Sequence, residues 1–377
     1  MGAPLLKGLR VLEIGQVLAG PYCGMLLADL GADVIKIEPP GGDLSRGVGT
    51  IGPGGVSSYF ASLNRNKRSV VLDLAGDEGQ EQLGRLVAES AALIVNLKGS
   101  TIQKLGLTYD ALRRWNERIV CVAITGYGLA GSRADRPAFD YVVQAETGMA
   151  AMTGEPDGPP SLVGYSAIDN SVAVFAALGL VSAVLRGTGG QVDVAMHDVA
   201  LSQLNYKAAS VLNGGGDPGR NRMGAHGFYA PAQLCATADG HLAVFVAHDG
   251  FWRRLAVELG GEELARDPRF ATAVARAAHR EELADLLADV WRTRTTADWV
   301  ARLTEVGVPV GPVAALGEAL DNGFVAERGM LVATPSDDGG QVRLVGNPVR
   351  VSDVADGYRP APRLGQHDEE VLPALSS

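Results

Sequence analysis

Asp169, in the stretch YSAIDNS, is a candidate for covalent chemistry in this 377-residue chain. It stands just ahead of a long apolar run, Ser171 to Leu185, whose length and composition predict a helix ended by Arg186-Gly187. A carboxylate at a helix start can accept backbone N–H bonds as an N-cap. The helix dipole also keeps it ionised, and an ionised carboxylate can act as a nucleophile. Both roles draw on the same lone pairs, so the residues alone leave the choice open.

A second set lies between Val17 and Arg46, where Lys36 and Glu38 close a predicted strand. The loop before it, GQVLAG, resembles a dinucleotide fingerprint but is not GxGxxG, so a nicotinamide enzyme with Glu38 on the ribose is only an alternative. Gly20-Pro21 reads more simply as a helix start. A third set, Asn64-Arg65-Asn66-Lys67-Arg68, is either a solvated loop or a cation cluster able to grip a phosphate. Lys98, Lys104, Arg133 and Arg136 add charge of the same sign. The six histidines form no HxxxH or HExxH set and there is no GxSxG, so neither a metal site nor a serine hydrolase is expected.

These residues need a scaffold. Leu9–Ile14, Val34–Ile37, Ser69–Leu74, Leu93–Leu97 and Ile119–Ile124 read as strands. Cys23–Leu30, Glu78–Glu89 and Tyr109–Trp115 between them have helical spacing. Such alternation predicts a parallel sheet with helices on both faces and ligands at the carboxyl ends of its strands. After the helix at 171–185 comes a strand, Gln191–Met196, and then a glycine-rich stretch read as linker. A smaller unit follows, with strands near 234–236 and 241–246 turning at Ala238-Asp239-Gly240, and helices at 251–259, 279–293 and 296–306. Short strands return at Gln341–Val345 and Val349–Val351. The expected organisation is a large domain over 1–205, a linker over 206–227, a small domain over 228–315 and a return to the large domain over 316–377.

The net charge is -10, from 33 basic and 43 acidic residues, which argues against a nucleic acid or an anionic membrane as partner. An anionic ligand would need a local cluster of cations. Cys23, Cys121 and Cys235 have no metal-ligand spacing, and Cys23 and Cys121 are expected as buried thiols. No secretory signal is evident and the 171–185 run looks too short to span a membrane, so a cytoplasmic protein is expected.

Over nearly its whole length the chain resembles the family III CoA-transferases. The opening LKGLRVLEIGQVLAGP followed by LLADLGADVIKIEPPGGDLSR carries the resemblance most specifically. LNRNKRSVVLDL, LIVNLKGSTIQKLGL, NERIVCVAITGYGLAGSRADRPAFDYVVQAETGM and YAPAQLCATADGHLAV follow in order. The resemblance implies a Rossmann-like large domain, a smaller α/β domain and an interlocked homodimer. It implies Asp169, ten residues before Gly179, as nucleophile toward an acyl-CoA thioester, with a small carboxylic acid as acceptor. CoA is then a substrate, and no cofactor is permanently bound. CoA contacts carry over onto Val17, Leu18, Ala19, Leu72, Asn96, Leu97, Lys104 and Leu105. The acyl side carries over onto Gln16, Tyr59, Phe139, Asp140, His226 and Gly227.

Two departures bear on substrate: Leu18 replaces a glutamine of oxalate-type members, and the glycine loop contains His226. A related branch racemises 2-methylacyl-CoA thioesters with a histidine-aspartate pair. Here Phe139 precedes Asp140, and a phenyl ring cannot exchange a proton. That branch is the alternative reading.

Overall fold

The computed structural model describes residues 2–352, 354 and 357–372. Strands β1 (Arg10–Ile14), β2 (Asp33–Glu38), β3 (Arg68–Val71), β4 (Ala92–Val95), β5 (Val120–Thr125) and β6 (Gly190–Ala195) form one sheet in the order β3-β2-β1-β4-β5-β6. Every pairing in it is parallel. The chain reverses its direction of winding between β1 and β4, which makes their carboxyl ends the topological switch point.

The period of two in these strands sends Leu12, Ile14, Ile35, Ile37, Leu93 and Val95 into one core, with Leu83, Leu86 and Val87 of helix α3. Helices α1 (Ala19–Asp29), α2 (Ser58–Asn64), α3 (Asp77–Ala88), α4 (Gly99–Lys104), α5 (Tyr109–Leu112) and α6 (Asp140–Glu146) connect or flank the strands. The 20-residue α7 (Ala167–Arg186) packs on β5, β6 and α1, burying Val172, Ala173, Ala176 and Leu180. It starts four residues before the expected boundary and is long and apolar enough to cross a membrane, contrary to the expectation of a run too short. It buries one stripe against the sheet layer and leaves its other side exposed.

The chain divides into two compact units. The first holds the six-stranded sheet and takes in 1–147, 164–205 and 322–377, including α8 (Met196–Gln203) and the hairpin of β10 (Leu331–Pro335) with β11 (Gln341–Val345). Val349–Val351, read as a strand, is irregular.

The second unit takes in 148–163 and 206–321. Its sheet is antiparallel, β7 (Ala232–Ala236), β8 (His241–Phe245) and β9 (Val310–Pro312). α10 (Asp249–Arg266), α11 (Ala273–Ala278), α12 (Arg280–Trp291) and α13 (Thr296–Glu305) enclose a core around Trp252, Trp291 and Trp299. The stretch read as linker begins as a helix, α9 (Asn205–Leu212), before becoming irregular.

Candidate active site

The loop from β1 into α1 lies at the switch point and is held by side chains from three directions. Lys36 donates to the Gly15 carbonyl at 2.8 Å. Asn96, just past β4, accepts from the Gln16 N–H at 2.8 Å and donates to the Gln16 carbonyl at 2.9 Å. Asp43 accepts from the Val17 N–H at 3.1 Å. The Asn96 side chain lies so close that a Cβ on Gly15 or Gly20 would come within 2.9 or 2.8 Å of its oxygen. That contact explains both glycines better than a phosphate-binding fingerprint does.

Beneath the loop lies a buried charge network. Glu13 on β1 faces Lys36 on β2 in register, and their side chains meet at 2.9 Å. Lys36 also meets Asp43 at 2.8 Å, and Lys67 meets the other Glu13 oxygen at 2.6 Å. Lys67 further donates to the Pro21 carbonyl and to Asn64. Glu13, Lys36 and Lys67 are fully or almost fully buried. Burial drives the Lys67 ammonium down to about 8 against the pull of Glu13, whereas Glu13 and Asp43 together hold Lys36 above its ordinary value despite burial.

The cation cluster at 65–68 therefore does not form the phosphate grip considered from sequence. Arg65 is buried and binds Asp29 with two nitrogens, Lys67 is in the network, and Arg68 pairs with Asp33 and Glu370. Glu38 is likewise consumed by Arg46, Ser69 and the Asp43 N–H, so it offers no ribose ligand. The same pairing holds Arg46, which also stacks 3.8 Å over Phe60. Arg133 and Arg136 gather around Glu146. Lys98 and Lys104 stay exposed at the two ends of α4. Leu72, Leu97 and Leu105 lie at the same carboxyl side of the sheet, Leu72 buried and the other two half-buried.

Asp169 sits in the first turn of α7 rather than at its cap, which corrects the N-cap expectation. The cap is supplied from outside: one Asp140 oxygen accepts the N–H groups of Ile168 at 2.6 Å and Asp169 at 2.9 Å. The other Asp140 oxygen is held by the Gln144 amide at 2.5 Å. Phe139, which precedes α6, is widely exposed. Relieved of capping, the Asp169 carboxyl is pushed up to about 7, first by burial and then by the Asp140 charge. Among the described residues no hydrogen bond steadies its ionised form, and the α7 dipole favours the charge. Tyr59 is raised by burial and by the charges of Asp169 and Asp43, so both carboxylates act on it.

His226 and Gly227 belong to the second unit. There Arg280 grips both their carbonyls, at 3.2 and 2.7 Å. The imidazole packs among Tyr206, Phe228, Tyr229 and Phe245. Burial and the nearby Lys207 and Arg280 charges lower its basicity. Among the described residues no group of three or more metal-ligating side chains gathers.

A doubly wound sheet with a pinned loop at its switch point and a carboxyl of raised pKa at a helix start defines an α/β protein built to bind and act on a ligand at its carboxyl edge. The family model described as CoA-transferase family III matches residues 6–368, and the chain belongs to that family. It is a CoA-transferase. It is 36% identical, over 99% of this chain and 96% of the relative, to a succinate–glutarate CoA-transferase of Agrobacterium fabrum. Identity is also 36% with a succinyl-CoA–D-citramalate CoA-transferase of Chloroflexus aurantiacus, covering 98% and 94%. The crystal structure of a CAIB/BAIF family protein from Brucella suis superposes with TM-score 0.86 at 34% identity, over 99% of this chain and 100% of that one.

Proposed function

We propose that the chain moves CoA from an acyl-CoA donor to a short dicarboxylic acid, with Asp169 as the covalent nucleophile. The observation that carries the reading is the Asp169 carboxyl, freed from capping by Asp140 and held near neutrality beside Tyr59. Relatives named for succinate, glutarate and citramalate support dicarboxylates as the substrate class.

Ionised Asp169 attacks the thioester carbonyl, forming a mixed anhydride as the C–S bond breaks and CoA leaves as thiolate. The thiolate attacks the aspartyl carbonyl, releasing the donor acid as carboxylate and leaving an aspartyl-CoA thioester. The acceptor carboxylate repeats the first step, and the thiolate then takes the acceptor's acyl group and returns Asp169 as carboxylate. Charge is conserved throughout and no ATP is needed. Water must be excluded while the anhydride exists.

The test is incubation with succinyl-CoA and a panel of carboxylic acids, read by mass spectrometry. Acceptor thioesters are expected. With a 2-methylacyl-CoA in deuterated water and no acceptor, the α-hydrogen should stay unexchanged. Rapid deuteration would favour the racemase reading instead.

The pH dependence follows from Asp169. Attack requires the ionised form, so kcat/KM should rise with pH across roughly 6 to 8, with an apparent pKa near the value of about 7. Asp140→Asn keeps an acceptor oxygen for the cap but removes the charge, and should move the profile down by up to about one unit. A flat profile through neutrality would contradict the assignment.

CoA carries several negative charges, and Lys104 is the exposed cation beside Leu105 at the same edge. Asn96 contributes by shaping the loop, since its side chain is spent on Gln16. Lys104→Glu should weaken CoA binding by about tenfold at low salt and less at high salt. Unchanged affinity by calorimetry at both salts would remove Lys104 from the site.

An interlocked homodimer belongs to the same proposal. Val174, Phe175, Leu178 and Leu185 leave the outer side of α7 apolar and exposed, a surface that a second copy would cover. A monomeric mass by sedimentation equilibrium would end that part.

A further inference from the structure

Val17 has φ of 66°, the left-handed region that β-branched residues avoid because Cβ crowds the carbonyl. Its side chain is 38% exposed, so packing does not force this conformation on it. The bonds to its backbone do. Its N–H is taken by Asp43, and the preceding residue is clamped at both N–H and C=O by Asn96.

Asp43 is suited to the task because it is itself immobilised. The oxygen that holds Val17 also accepts from the Ser45 N–H at 2.8 Å and the Ser45 hydroxyl at 2.7 Å. Its other oxygen meets Lys36, its own N–H goes to Glu38, and the residue is 2% exposed. The GGDLSR turn thus closes back on the first loop, and Lys36 reaches the same loop through Gly15.

We infer that Asp43 is a positioning residue for the CoA thioester, acting by holding Val17 in its left-handed conformation so that the Val17–Ala19 backbone is set for the ligand before it arrives. This rests on the reading that the Val17–Ala19 loop contacts CoA. Strained backbone kept in place by an over-determined set of bonds is a form of preorganisation, and its loss shows in binding. Without the Asp43 bond, valine relaxes to negative φ and the loop leaves its binding shape. Glycine, which enters positive φ as readily as negative, does not need the bond.

The experiment is a double-mutant cycle with Asp43→Ala and Val17→Gly, read by calorimetry with CoA and by steady-state kinetics with succinyl-CoA. Alanine, unlike asparagine, leaves no acceptor for the Val17 N–H. Asp43→Ala alone is expected to weaken CoA binding and raise KM by about tenfold, with kcat changed by less than about threefold. In the Val17→Gly background the same substitution should cost less than about threefold, because the conformation it protects is then freely available. An Asp43→Ala effect of equal size in both backgrounds overturns the inference, as does no effect in either.

If Asp43→Ala does not give folded protein, Val17→Pro and Val17→Ala address the same point from an exposed position. Proline fixes φ near about −65° and removes the N–H, so it should bind CoA at least about tenfold more weakly than the alanine variant. Equal affinities of the two overturn the inference. A wild-type protein that binds no CoA would instead count against the functional reading itself.

Discussion

Asp169→Ala should lower CoA transfer by about 10⁴-fold or more while the protein stays folded, because removing a covalent nucleophile removes the route rather than one contact along it. Hydroxylamine added during turnover with succinyl-CoA should label Asp169 in the wild type and nothing in the variant. Near-normal turnover of Asp169→Ala would end the covalent mechanism. A second readout comes from linkage. The folded-state pKa of Asp169 is raised from 3.8 to about 7, so its contribution to stability is full below pH 4 and is lost as pH rises through 7. Asp169→Asn, which cannot ionise, should therefore be more stable than wild type above pH 7 by on the order of 2 kcal/mol, with the gap closing toward pH 4. Melting curves at the two pH values check the sign. A carboxyl that costs its fold stability at the pH where it would act is the behaviour expected of a functional group.

The sheet was legible because its signal is local. Apolar runs such as RVLEI and DVIKIE, separated by helical spacing, fix β1, β2 and their parallel pairing without knowledge of distant contacts. Asp169 was proposed as a nucleophile only through the family resemblance, since the residues around it suit a cap equally well. What takes the cap role from Asp169 is Asp140, and its two N–H bonds join positions 28 and 29 residues apart. The cluster at 65–68 misled for the same reason. Arg65 answers Asp29 from 36 residues away, and a charge run read alone carries no sign of such partners. One signal was available. Glu13 in VLEI and Lys36 in VIKI each follow an apolar residue of the strand core and share strand parity, so a parallel pairing brings them side by side. Opposite charges meeting inside apolar strands indicate a buried pair, and a buried pair under the first loop indicates a site.

Glu13→Gln is expected to be the most damaging change away from Asp169. Glu13 is 0% exposed and answers two ammonium groups, Lys36 at 2.9 Å and Lys67 at 2.6 Å. Neutralising it leaves Asp43 as the one carboxylate for Lys36 and none for Lys67 among the described residues. Removing one partner of a buried charge cluster typically costs about 3–5 kcal/mol, because the remaining charge keeps its desolvation penalty and loses the attraction that offset it. The first unit's melting temperature should fall by about 10 °C, measurable by calorimetry. Lys67 is already depressed to about 8 with Glu13 present, so its ammonium is the member least able to stay charged once Glu13 is neutral. Glu13→Gln combined with Lys67→Met should therefore be less damaging than the sum of the two single changes, the mark of a direct coupling. Strictly additive losses would mean that the two side chains do not form one network. The effect should reach function as well, since the same lysines hold the Gly15 and Pro21 carbonyls. Glu13→Gln is accordingly expected to weaken CoA binding at temperatures well below its own unfolding, with the loop loosened before the sheet beneath it melts.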